Sequence, residues 1–272
     1  MWTPLAYLKS GRVDHCTGIE VSVTVATERD DRALGVSEAR ARLRQAVLRT
    51  ELRPGTVYAQ DEVRKLLDVG RTPFREALRM VQMENLIDIL PNGRLRIPPL
   101  VMDDVTHVQI ARIALETAAA RASVPKLGPE DFAHLEGFMA QMSHYLSSDH
   151  FDRVETPHLE FHHALLAKAG PTILMKIEEL SDRVRRYRWA HSVELRSGWP
   201  NRTAEHRAIL DAVIACDVEG AVAQLVRHYL ESGLLLAEFM KESDPDSSPE
   251  RFEEAILASL APSVRTAVRK LR

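Results

Sequence analysis

Two consecutive prolines, Pro98 and Pro99, divide the chain into parts that obey different rules. Proline lacks a backbone N–H and has a fixed φ, so neither a helix nor a central strand runs through such a pair. Beyond it, apolar residues recur at helical spacing, predicting helices at about 102–124, 129–147, 151–169, 172–194, 202–216 and 218–241. The breaks between them, LGPED, SSDH, AGPT, SGWPN and CDVEG, are rich in turn formers. Only 6% of the residues are aromatic and glycine is scarce, which favours helices over sandwiches and barrels. The expected fold is therefore mainly α, with residues 100–241 forming an all-helical bundle. Residues 242–272 read as a linker, SDPDSSPE, followed by one extra amphipathic helix with a basic end. Residues 1–35 show no sustained period and are expected to be a poorly ordered extension.

Ahead of the prolines, residues 36–98 read as three helices and a hairpin. SEARARLRQAVLRTEL places Ala41, Ala46, Val47 and Leu48 near one helix face, with Ser37 as cap. A short helix covers Gln60 to Leu67. A third begins near Arg71-Thr72-Pro73, with Thr72 as cap and Pro73 at the first helical position, and runs to about Asn85. IDILPNGRLRIP then reads as two strands around Pro91-Asn92-Gly93. That order is a winged helix-turn-helix. Residues 38–98 hold 12 Arg/Lys against 8 Asp/Glu, a basic segment inside a chain of net charge -3. Arg71, Arg75 and Arg79 recur every four residues, and Asn92, Gly93, Arg94 and Arg96 make a basic wing. A recognition helix wants such a ridge, because arginine bonds guanine in bidentate fashion. A solvated basic face would show the same spacing, so periodicity alone leaves both readings open.

The stretch LRQAVLRTELRPGTVYAQDEVRKLLDVGRTPFREALRMVQMENLIDILPNGRLRI resembles the DNA-binding module of the GntR superfamily of bacterial regulators. Its most specific features are the Pro-Gly after the first helix, the block RTPFREAL, and the E-N-L-I step into the wing. The resemblance implies that Arg71, Thr72 and Arg75 contact bases and phosphates, and that Asn92, Gly93 and Arg94 form a wing tip entering the minor groove. Asp68 and Gly70 depart from the family's usual glycine and serine, and Asp61 stands where an arginine often touches DNA.

In the bundle, HLEFHHALLAKAG starts at His158 and carries three histidines in six residues. A zinc protease helix needs H-E-x-x-H, whereas here the order is H-L-E-F-H. Glu160 therefore lies roughly 160° round the helix from the histidine face. Glu160-x-x-His163 would be half of a di-iron motif, but no second E-x-x-H completes it. His206 and His228 also fall on apolar helix faces, so four inward histidines from three helices could converge. A single buried histidine is more often a hydrogen-bonded core residue than a ligand. The pattern R-x-x-L-E at Arg112 to Glu116, F-H at His162, E-H at His206 and a histidine in the last long helix resembles the FCD ligand-binding domain of FadR-like GntR regulators. The resemblance implies a divalent metal, zinc or nickel, on His158, His162, His206 and His228, with His158 in the family's Asp position. Four neutral ligands leave the ion's charge uncompensated, favouring an anionic effector; Glu155 is the other source of negative charge. Arg112 is the candidate clamp on an effector carboxylate, with an i,i+4 pair to Glu116 as its other reading. Pro171 replaces an Asn that often lies near the family's pocket, and His163 should face away.

The expected function is a homodimeric transcription regulator binding palindromic operator DNA under control of a small organic acid. A metal-dependent hydrolase or lyase, and a sensor of the ion itself, are the rivals. No nucleophile–base pair marks a catalytic site, so no enzyme activity is expected. Cys16 and Cys216 are the only cysteines and form no C-x-x-C, and no apolar run is long enough to span a membrane. A cytoplasmic protein is expected.

Overall fold

The computed structural model describes residues 27–191, 199–241, 244 and 247–272. The fold is mainly helical. Helix α1 spans Thr27–Leu48, α2 Gln60–Leu66 and α3 Arg71–Met83. A three-stranded antiparallel sheet, β1 (Val57–Tyr58), β2 (Asp88–Ile89) and β3 (Leu95–Arg96), has the order β1-β3-β2. Helices α4 (Met102–Ser123), α5 (Pro129–Ser147), α6 (Phe151–Leu166), α7 (Pro171–Ala190), α8 (Trp199–Ile214) and α9 (Val218–Met240) follow. The chain ends with α10 (Pro249–Ser259) and α11 (Pro262–Leu271).

Several local expectations need correction. The extension read at 1–35 lies mostly outside the described residues, but its last part is helical. The helix starts at Thr27, so Ser37 sits inside α1 rather than capping it. Glu, Arg, Ala and Leu in this stretch propagate a helix by propensity, without the apolar stripe that a periodicity search needs. Ala41 is exposed, and Leu43 takes its place in the core. Helix α3 is capped by the extended backbone of Gly70, not by Thr72. The short strand β1 pairs Val57 with Arg96 and escaped the pattern search because two residues carry no alternation. The single C-terminal helix is two helices. Pro262 cannot accept a place inside a helix, so it opens a second one at its N-terminal turn.

Two apolar cores form. Leu43, Val47, Leu52, Phe74, Leu78, Leu86, Leu95 and Ile97 close the N-terminal module, so helices and wing share one interior. The second core fills the bundle around α4, whose buried positions include the polar Gln109, Arg112 and Glu116. Helix α10 docks on α9 at Gly233, where an added Cβ would overlap the Phe252 ring.

Helix α7 belongs to both halves of the molecule. Asp182 accepts from Arg44 of α1, which also pairs with Glu84 at 3.0 Å. Arg186 donates to the Pro98 carbonyl at 2.6 Å, and the Arg49 guanidinium lies 5.2 Å from the Trp189 ring centroid. Tyr187 donates to Asp104 at 2.9 Å. Among the described residues, no helix is long and apolar enough to cross a membrane.

Candidate metal centre and nucleic-acid interface

His158 and His162 lie four residues apart on α6 and therefore share one face. His206 comes from α8 and His228 from α9, and all four are buried. One ring nitrogen from each lies within 4.8 Å of the others. The Nε2 atoms of His162 and His206 are 3.3 Å apart. Ligands about 2.0–2.1 Å from a tetrahedral zinc ion are separated by about 3.3 Å, so this edge fits such an ion. Each histidine must be neutral to ligate. Burial holds His158 and His162 well below the usual imidazole range. Neighbouring histidines add to that effect, as do Arg188 for His158 and Arg112 and Arg188 for His162.

Groups packed against the rings orient them. Glu205 Oε2 lies 2.8 Å from His228 Nδ1, and the Tyr229 hydroxyl lies 3.2 Å from His162 Nδ1. Tyr229 also donates to Glu116. Burial, then the Glu116 charge, pushes the Tyr229 phenol well up, so it keeps its proton. Sequence reasoning missed the parts played by Glu205 and Tyr229, although each sits directly beside a histidine in the chain.

Arg112, the candidate clamp, is engaged on its own helix and by Tyr229. Its guanidinium meets Glu116 at 2.8 Å and Gln109 at 3.3 Å and lies 4.5 Å from the Tyr229 ring centroid. The i,i+4 spacing brings Glu116 within reach, and the intra-helix pair is formed. Glu155 is also engaged, by Arg188 at 2.6 Å and Arg185 at 3.5 Å, with His158 Nδ1 4.0 Å away. Glu160, His163 and Pro171 line a separate groove with Phe138, Leu174 and Met175, away from the four rings.

In the N-terminal module, Arg71, Thr72 and Arg75 are exposed at the start of α3. Arg71 and Arg75 border a depression with Gln60, Asp61 and Arg64. Arg79, the third member of the ridge, pairs with Glu76 at 3.1 Å. Asp61 is paired with Arg64 and Lys65, which hold its carboxyl below the usual range. The wing tip turns at Gly93, whose φ of 75° is a left-handed conformation suited to glycine. The Asn92 side chain accepts from the Arg94 amide at 3.1 Å, and Gln60 donates to the Gly93 carbonyl at 2.6 Å. Arg94 also donates to the Val57 carbonyl at 3.2 Å, which ties its guanidinium to β1.

Comparison with known families gives two matches. Residues 36–97 match the bacterial regulatory proteins of the gntR family, and residues 108–231 match the FCD domain. The chain belongs to the GntR family of transcriptional regulators. Among relatives, the HTH-type transcriptional regulator BphR of Paraburkholderia xenovorans (strain LB400) is 25% identical over 71% of this chain and 81% of its own length. An HTH-type regulator from Streptomyces ambofaciens is 28% identical over 69% and 78%, respectively. Among solved structures, E. coli McbR/YncC matches with a TM-score of 0.68 and 19% identity, covering 75% of this chain and 98% of its own. A putative GntR regulator from Rhodococcus sp. RHA1 gives a TM-score of 0.61 at 20% identity, covering 75% and 97%. These structural likenesses show a shared fold.

Proposed function

We propose that this regulator binds a palindromic operator as a homodimer and senses a small carboxylate-bearing metabolite through a zinc or nickel ion. Residues 36–98 would bind DNA, and residues 100–241 would hold the effector and the dimer contact. The observation that carries the reading is the convergence of four buried histidine nitrogens from three helices. An all-nitrogen shell suits zinc or nickel far better than magnesium, which prefers oxygen. When bound, the ion would supply positive charge that four neutral ligands leave uncompensated, which favours an anionic effector beside it.

Arg71, Thr72 and Arg75 are assigned to base and phosphate contact, and Asn92, Gly93 and Arg94 to the minor groove. One recognition helix reads too few base pairs for a selective site, so two chains on half-sites related by two-fold symmetry are required. The protein regulates rather than catalyses. A hydrolase would need a general base near His162, for which Glu155 is the candidate, and its carboxylate is held by two arginines. The test is metal analysis of the purified protein, followed by operator titration with and without the ion and with candidate acids. An ion-only response would make the ion itself the signal. Protein that binds no metal, with operator affinity indifferent to every acid, would refute the proposal.

A further inference from the structure

We propose that two buried carboxylates aim the histidine cluster from outside it: Glu205 acting directly on His228, and Glu116 acting through Tyr229 on His162. Arg112 is then the residue that fixes Glu116 in place. This rests on the metal reading above, but it concerns groups that touch no ion.

The first relay is short. Glu205 Oε2 stands 2.8 Å from His228 Nδ1, and both side chains are in the interior. An ionised carboxylate only accepts hydrogen bonds, so His228 must carry its proton on Nδ1. That leaves the Nε2 lone pair for the cluster. A carboxylate in this position also makes the imidazole a stronger donor to a cation.

The second relay is longer. Tyr229 donates its proton to Glu116, so its oxygen is left to accept from His162 Nδ1, 3.2 Å away. His162 is thereby set in the same tautomer as His228, with Nε2 turned towards His206 Nε2 at 3.3 Å. Glu116 is held by the Arg112 fork, with Nε at 2.9 Å and Nη2 at 2.8 Å. The planar fork grips one carboxylate oxygen and rests on the Tyr229 ring, so the whole relay is locked by packing.

The two relays differ in kind. Glu205 sits directly against a ligand ring, whereas the Glu116 carboxylate is paired with Arg112 and reaches His162 only through a neutral phenol. Glu155, the third acid near the cluster, is matched by Arg188 and Arg185. Of the three, Glu205 is the carboxylate in hydrogen-bond contact with a ligand ring.

The experiment uses the full chain, zinc and cobalt(II). Zinc affinity is read by competition with a chromogenic chelator, cobalt geometry by visible absorption, and fold integrity by melting of the metal-free form. Glu205→Gln keeps the shape and an accepting oxygen but removes the charge. It should weaken zinc binding by about 10–100-fold while leaving a tetrahedral cobalt spectrum and metal-free melting near those of wild type. Tyr229→Phe, which keeps the ring, should weaken zinc binding by less than Glu205→Gln does. If wild type binds zinc and Glu205→Gln binds it equally well, the relay is wrong and the metal reading survives. If wild type binds neither ion, both fall together. Should Glu205→Gln fail to fold, Tyr229→Phe decides: unchanged zinc affinity and cobalt spectrum overturn the inference.

Discussion

Acidifying the metal-free protein from pH 7.5 to 5.5 should cost folding stability through His158 and His162, up to about 2.7 kcal/mol when neither ring protonates in the folded state. Both imidazoles are held well below their ordinary value of 6.5, chiefly by burial. In the unfolded chain they titrate near that ordinary value. Above it both states are neutral and the two histidines contribute no pH dependence. As pH falls below it, the unfolded chain takes up protons that the folded chain refuses, and stability drops. Each histidine contributes about 1.4 kcal/mol per pH unit in this window, until the depressed folded value is reached. The ordinary carboxylate range lies below the window, so the histidine slope stands clear of it. The assay is urea denaturation in excess chelator at half-unit pH steps, for wild type and for the double variant His158→Gln, His162→Gln. The variant should lose most of the slope between pH 6.5 and 5.5. Parallel pH profiles would refute the reasoning, because they would mean that the rings protonate inside the fold without penalty.

Zinc at about 100 times its dissociation constant should stabilise the fold by roughly 2.7 kcal/mol, measured as a chelator-reversible shift in denaturation. His162→Ala should abolish that gain, and His163→Ala, on the outer groove, should keep it. On operator DNA, Arg75→Ala should cost on the order of 1–3 kcal/mol against the specific site, read by titration at fixed salt. Arg94→Ala should weaken all sequences alike if that residue meets only phosphate. Gly233→Ala should destabilise by about 1–3 kcal/mol, because the Phe252 clash outweighs the gain in helix propensity of up to about 1 kcal/mol. A rise in melting temperature for that variant would contradict the packing described.

The parts of the fold legible in the sequence are those with a strong local signal. Pro91-Asn92-Gly93 announces the turn between β2 and β3, and each clustered histidine sits on an apolar helix face that must point inward. What escaped was short or tertiary. Strand β1 has two residues and exists because β3 offers it an edge. The Arg112–Glu116 pair is legible in the i,i+4 spacing, whereas the packing of the guanidinium on Tyr229 of another helix is not. Glu205 falls directly before His206 yet bonds His228 on another helix, a choice set by how α8 and α9 cross.

The sharing of α7 bears on how this chain could be taken apart and recombined. The cut between modules suggested by Pro98 and Pro99 passes through a continuous backbone but not through the junction itself. Grafting the segment up to and including Pro98 onto a foreign bundle would bring Arg44 and Arg49 without Asp182 and Trp189. The Pro98 carbonyl would also lose its Arg186 donor. A chimera that preserves the native seating of the DNA-reading head therefore needs that face of α7 transplanted as well. The exchangeable unit is larger than the DNA-binding module.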